Sequence, residues 1–274
     1  MQPDDPPFLL LVRFSYPARG GFRRQHDDDA GTEAFLYDPE RLARRLALFE
    51  ALTLPSLRAQ TDRGFRTLFL VGERMPAAAR ARLEAAADSL PGAEVVAMPP
   101  LHAYEAVRRA FALLSTGDAR QVLTLRLDDD DALACDFIAR MRAKVRALMP
   151  LQQGEAPLIV AFNRGYLADL SGPRPAISAV VERLPMSCGT AMLAPAGSDD
   201  NVYRRNHRWL PQFFDTFSEA HSPAWLRTAH GDNDSDVTSM GRTLRLPPAE
   251  LADGLAAAFP FLPPDWIAAA GRDG

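Results

Sequence analysis

TLRLDDDDAL, Thr124 to Leu133, sets four consecutive aspartates, Asp128 to Asp131, directly behind a run of apolar and basic residues. Neighbouring carboxylates repel one another, which raises their pKa values and opposes folding unless a cation offsets the charge. The preceding QVLTLRL, Gln121 to Leu127, is short and apolar and predicts a buried strand with Asp128 emerging at its carboxyl end. In an open α/β sheet that end faces the crevice where ligands bind. Asp128 and Asp130 are two apart, project to the same side of an extended chain and can share one hard cation, with Asp129 opposite. Carboxylates and water suit Mg2+ or Mn2+, which commonly complete their shells with substrate phosphates. The plainer alternative is a solvated acidic turn, and Asp131 is a candidate cap for the helix that follows.

Working outward, FLLLVRFSY (Phe8 to Tyr16), RTLFLVGE (Arg66 to Glu73) and AEVVAMP (Ala93 to Pro99) read as further buried strands. Helices fall between them. One runs from Pro39 to Arg58, with Asp38 as N-cap, Pro39 at the first helical position, and Leu42, Leu46, Phe49 and Leu52 on one face. Pro55 should kink it or end its first part. Others span Pro76 to Leu90 and Ala103 to Ser115. The βαβαβαβ pattern predicts an α/β fold with a mostly parallel sheet covered by helices. After the aspartates, Ala132 to Met149 reads as a helix. The regular alternation then weakens into Pro157 to Leu170, Ala176 to Glu182 and Thr190 to Gly197 as strands, antiparallel in part, before a helical end from Pro247 to Ala270. The segment Pro17 to Phe35 reads as a mobile loop leaving the first strand, with Asp27, Asp28 and Asp29 solvated on it.

Composition narrows the functional classes. With 47% hydrophobic residues the 274-residue chain has ample material for a core, and a net charge of -4 argues against a nucleic-acid partner. Cys135 and Cys188 fit no metal-ligand spacing and favour a reducing compartment. The start, MQPDDPPFLLLVRF, has no basic region ahead of its short apolar run and does not read as a signal peptide. No span approaches the roughly 18 apolar residues of a membrane helix. The expectation is a cytoplasmic protein, with peripheral membrane contact and oligomeric state left open.

The strand ending in Asp-x-Asp resembles the nucleotide-sugar glycosyltransferases of the GT-A fold, and RLDDDDAL, Arg126 to Leu133, is similar to the form found in the bacterial rhamnosyltransferase family. VRFSY (Val12 to Tyr16), RLARRLALFEALTLPSLRAQTDRGF (Arg41 to Phe65) and HGDNDS (His230 to Ser235) resemble that family too, so the likeness reaches from residue 8 to 236. It implies one GT-A-like domain over residues 1–274, in which 1–131 bind the nucleotide sugar and 132–274 form the acceptor half, with a mixed second half to the sheet. It implies metal-dependent transfer of a sugar from a nucleotide-sugar donor to a saccharide or lipid-linked saccharide acceptor. Rhamnose comes from the family's name alone.

The same resemblance implies roles. Asp128 and Asp130 would hold Mn2+ or Mg2+ on the donor diphosphate, with His230 as a third ligand. Asp129 or Asp131 would contact the ribose, or the metal through water. Arg13 and Phe14 would lie near the base, with ordinary strand-end packing as the plainer alternative. From the residues themselves, Arg126 inside the fourth strand wants a partner, an aspartate or phosphate or else a structural salt bridge, and Asp232 and Asn233 either contact phosphate, metal or acceptor or form a turn. An inverting reaction needs a base for the acceptor hydroxyl; the candidates are Asp232, Asp234, Asp236 and Glu182. His102, His207 and His221 read as structural or surface groups. A metal-dependent phosphohydrolase of the haloacid dehalogenase type would want Asp-x-Asp followed by Gly-Thr after the first strand, which this motif lacks. A non-catalytic calcium-binding module of the EF-hand kind would want Gly at the sixth loop position and Glu at the twelfth, also missing.

Overall fold

The computed structural model describes residues 5–20, 28–231, 233 and 241–270. Its larger sheet is built from β1 (Phe8–Arg13), β2 (Phe65–Gly72), β3 (Ala93–Met98) and β4 (Gln121–Asp128), joined by strands from the second half of the chain. The smaller elements of that second half are β5 (Ala132–Leu133), β6 (Leu158–Phe162), β7 (Arg164–Asp169), β8 (Ala176–Val181), β9 (Thr190–Pro195), β10 (Asp215–Glu219), β11 (Trp225–Ala229) and β12 (Arg242–Leu244). The strand order is β10-β6-β9-β4-β1-β2-β3, parallel except for β9, which runs against both β4 and β6. The predicted mostly parallel sheet with a mixed second half is therefore the observed one. A second sheet, β12-β8-β7-β11-β5, is mixed.

Alternation along β1 explains the layering. Phe8, Leu10 and Val12 join one buried cluster with Leu42, Leu46 and Phe137, whereas Leu9 and Leu11 join another with Ala106, Val107 and Ala110. Helices therefore cover both faces: α2 (Pro39–Leu48), α3 (Leu54–Arg58), α4 (Ala77–Asp88) and α6 (Phe137–Leu148) against α5 (Ala103–Ala112). Asp38 caps α2 as expected, accepting a 2.9 Å bond from the Arg41 amide. Pro55 does not end that helix. A π-helical turn over Phe49–Thr53 links α2 to α3, widening the coil next to the residue that lacks an amide hydrogen.

Three expectations need correction. The segment 17–35 is not all loop: α1 (Asp29–Leu36) forms because Asp28 accepts a 2.7 Å bond from the Gly31 amide and Leu36 is buried. Asp29 pairs with Arg19, and Asp27 lies outside the described residues. The helix predicted from Ala132 begins only at Phe137, because Ala132 and Leu133 are drawn into the second sheet against Leu226 and Trp225. Asp131 accordingly caps no helix; its carboxylate accepts a 3.0 Å bond from the Thr228 amide.

The run 157–170 also breaks at Asn163. There the amide donates to Glu219 in the first sheet, and the carbonyl accepts from Glu182 beside the second. Beyond it the chain enters β7, where Gly165 lies in register with Trp225; any Cβ there would enter the indole ring and the Trp225 carbonyl. The helical end is α7 (Pro248–Ala258) and α8 (Pro264–Ala270). Both cysteines are free, Cys188 buried and Cys135 half-buried. No helix among the described residues is long and apolar enough to cross a membrane.

Candidate active site

The strand order 3-2-1-4 reverses direction between β1 and β4, the switch point at which open α/β sheets leave a crevice at their carboxyl ends. Arg13 and Asp128, the last residues of those two strands, are register partners, and their side chains lie 3.9 Å apart. A cleft of about 390 Å3 opens there, lined by Arg13, Arg126, all four aspartates and Asn233 among others. Period-two alternation sends Leu123, Leu125 and Leu127 into the core and turns Arg126 to Asp128's face, 3.5 Å from its carboxylate. Tyr203 braces both cations. Its ring sits 5.0 Å from the Arg126 guanidinium and 5.6 Å from that of Arg13, and its hydroxyl donates to the Leu11 carbonyl at 2.8 Å. Burial above all, with the charge of Asp128 adding to it, pushes the Tyr203 phenol up to about 12, so it stays a donor.

The four carboxylates experience four different environments. Burial opposes the charge on Asp128, but Arg126 and Arg13 outweigh it and hold its carboxyl below the usual range. Asp129 and Asp130 share Arg45, on the inner side of α2. That guanidinium donates twice to Asp129 and, through Nη1, to Asp130 at 2.7 Å. Asp130 Oδ2 also meets His230 Nε2 at 2.9 Å and accepts from Asn233 Nδ2 at 3.2 Å. Burial again opposes its charge, and Arg45 with His230 more than offsets it, so Asp130 titrates well below an ordinary carboxylate. Asp131 is the opposite case. Burial first, then the charge of Asp130, raises it well above the usual range and favours the neutral acid. The loop itself is pinned: Thr228 Oγ1 donates to the Asp130 carbonyl and Thr53 Oγ1 to that of Asp131.

Asp128 and Asp130 both line the cleft, and His230 Nε2 lies 2.9 Å from Asp130 Oδ2. Among the described residues no three His, Cys, Asp or Glu side chains gather into a metal shell, so a cation here would need further ligands from a substrate.

Not every predicted residue reaches the cleft. Phe14 is wholly buried, edge-on to Phe49 with ring centroids 5.5 Å apart; it is core, and Ser15 and Tyr16 beyond it line the cleft. Ser15 follows with φ +45, a left-handed conformation uncommon for a residue with a side chain, and lines the cleft while Arg41 donates to its hydroxyl at 3.3 Å. Glu182 is buried at the end of β8 and does not line the cleft. Asp232, Asp234 and Asp236 lie outside the described residues. Asn233 lines the cleft, and its side-chain oxygen accepts from the His230 amide.

The sequence reading missed Arg41, Arg45, Tyr203, His207 and Arg227, all of which line the cleft. One signal was available: Arg41 and Arg45 stand four apart beside the Leu42/Leu46 stripe, where a helix packed on a sheet should be apolar, and both are buried. His207, read as structural or surface, has a buried Nε2, which like Arg126 Nε lacks a hydrogen-bond partner among the described residues. Burial, with Arg126 adding to it, lowers the imidazole well below its ordinary value and keeps it neutral.

Residues 7–242 match the family described as putative rhamnosyl transferase. The chain belongs to this family. The family's description is of a glycosyl-transferring enzyme, and the acid-and-arginine cleft lies at the switch point of the sheet. Among curated protein sequences none matches. Solved structures with a similar course include S. aureus TarS in complex with UDP-GlcNAc, at 8% identity and TM-score 0.47 over 91% of this chain and 64% of that one. Another TarS crystal structure matches at 10% identity and TM-score 0.45 over 81% and 37%. The bifunctional glycosyltransferase WbbM in its apo form matches at 10% and 0.26 over 58% and 23%. The chain thus spans 37% to 64% of the TarS chains it matches.

Proposed function

We propose that this rhamnosyltransferase-family protein binds a nucleotide-sugar donor across the β1–β4 switch point and transfers the sugar to a saccharide or lipid-linked saccharide acceptor. The observation that carries this reading is the in-register pairing of Arg13 with Asp128 at the mouth of the sheet, inside a cleft that alternates guanidinium and carboxylate groups. Arg13 and Arg126 supply fixed positive charge for a diphosphate, and the Nε of Arg126, without a hydrogen-bond partner among the described residues, is a donor awaiting an acceptor. Asp128 and Asp130 are the residues that would hold Mn2+ or Mg2+, with His230 beside them; the cation would act as a Lewis acid for the charge that builds on the leaving diphosphate. Asp131, kept neutral, can donate a hydrogen bond to a ribose hydroxyl or phosphate oxygen, whereas Asp129 serves by fixing Arg45. For the acceptor's proton, Asp232 of the HGDNDS segment is our candidate. Rhamnose is the donor sugar the family's description names.

The test is thermal. A ligand that binds only the native state raises its melting midpoint. UDP, dTDP and GDP are added singly with and without Mn2+; a metal-dependent rise with one of them supports the reading and names the base. No rise with any of the three refutes it.

A further inference from the structure

Tyr203, Arg205, Asn206 and His207 also line the cleft, and they lead into a 3-10 turn over His207–Gln212. NVYRRNHRWLPQFF, Asn201 to Phe214, contains three arginines and no acid. Arg204 is engaged, 3.5 Å from the Asp200 carboxylate and over the Tyr104 ring. Arg205 and Arg208 have no carboxylate partner among the described residues. Arg205 lines the cleft and lays its guanidinium 4.8 Å from the Phe213 ring centroid.

Phe213 is 54% exposed and Trp209 59% exposed, and the turn is not loose. The Asn206 side chain caps it by accepting from the Arg208 amide at 3.0 Å. Leu210 anchors it in a buried cluster with Ile159, Met192 and Val202. Side chains three apart eclipse in a 3-10 turn, so His207 and Leu210 face inward together and Trp209 is held outward. Two rigidly presented aromatics beside two guanidinia, joined to a sugar-transferring cleft, form a surface that wants a partner. His207 Nε2, buried at the cleft without a hydrogen-bond partner among the described residues, is an independent sign of an absent ligand hydroxyl.

We infer that this surface is the acceptor subsite and that it takes an anionic saccharide. A sugar ring stacks on Trp209, and Arg205 and Arg208 pair with carboxylate or phosphate groups it carries. The inference rests on the cleft being a sugar-transfer site. A membrane surface fits less well: the patch is a six-residue turn interrupted by Pro211, not an amphipathic helix, and it is continuous with the cleft.

Binding is measured on the full chain by saturation-transfer NMR and tryptophan fluorescence, with Mn2+ and nucleoside diphosphate present. The probes are tetragalacturonate, mannose 6-phosphate and neutral maltotetraose; vesicles of anionic phospholipid form a separate arm. The inference expects at least one acidic probe to bind about tenfold more tightly than maltotetraose, and Trp209→Ala to weaken it about tenfold. Arg208→Gln should reduce the acidic preference, and which acidic probe wins separates carboxylate from phosphate. Equal binding of neutral and acidic probes, no binding of either, indifference to Trp209→Ala, or Trp209-dependent binding to vesicles alone each overturns it. Thermal protection of the wild-type chain by nucleoside diphosphate is read in parallel. Its loss refutes the donor reading, whereas its presence alongside a failed acidic probe refutes only the subsite.

Discussion

Replacing Arg45 by methionine removes the guanidinium held between Asp129 and Asp130 while keeping most of the side chain's length. Only 9% of the Arg45 side chain is exposed, and only 3% and 6% of its two partners. Breaking a buried ion pair from one side costs about 3–5 kcal/mol, because the charge left behind stays desolvated. At roughly 2–4 °C per kcal/mol for a large single-chain protein, the lower end of that range lowers the melting midpoint by about 6–12 °C at neutral pH.

The pH dependence fixes the cause. In the wild type, Asp130 titrates below its unfolded value, so its contribution is fully present above about pH 4 and is lost only as pH falls through the lower folded value. Without Arg45 the same buried carboxyl titrates higher, and taking up a proton relieves the stranded charge. The gap between variant and wild type must therefore narrow as pH is lowered from 7.5 toward 4.5. Adding Mn2+ should raise the variant's midpoint more than the wild type's, since a second cation can take the vacated carboxylates. Scanning calorimetry at several pH values measures all three. An unchanged midpoint, or a gap that widens in acid, refutes the account of Arg45 as the charge that makes the aspartate run foldable.

Asp130→Asn keeps the hydrogen-bonding shape but removes the charge, and is expected to lower transfer at least about 100-fold, read as product formed per enzyme, with circular dichroism unchanged. Tyr203→Phe loses the bond to the Leu11 carbonyl, a cost of about 1 kcal/mol in urea unfolding, and retains donor protection; Tyr203→Ala also removes the brace under Arg13 and Arg126 and weakens that protection. Gly165→Ala drives a Cβ into Trp225 and should destabilise by about 1–3 kcal/mol or more in the same unfolding assay. Because Asp128 is held below the ordinary carboxylate range, Mn2+-dependent donor protection should not fade between pH 7.5 and 5.5 on its account.

What could be read from the sequence follows from the range of the interactions concerned. Strands β1, β2 and β4 are largely buried and β3 is half-buried at the edge, so their apolar runs and the periodic helices between them disclose the sheet without any tertiary knowledge. The carboxyl end of β4 inherits that clarity, and Asp128 lies at the mouth of the sheet as expected. Local signals failed where distant segments compete for the same residues. Ala132 and Leu133 carry helix-compatible residue types, yet Trp225 and Leu226, almost a hundred positions away, take them into a second sheet. Phe14 reads as a strand-end aromatic, but Phe49 claims it for the core.

The acid run was hardest to interpret because its neutralising partners are spread along the chain. Arg45 arrives from α2, His230 and Asn233 from beyond β11, and Arg13 and Arg126 from the two switch-point strands. Four adjacent aspartates therefore do not act as one acidic patch. Asp128 faces the cleft between two arginines, Asp129 and Asp130 hold one guanidinium, and Asp131 is driven toward its neutral form by burial first and then by the charge of Asp130. A repeat of one residue type becomes four chemical environments because each position meets a different distant segment, and only the folded chain decides which aspartate meets which.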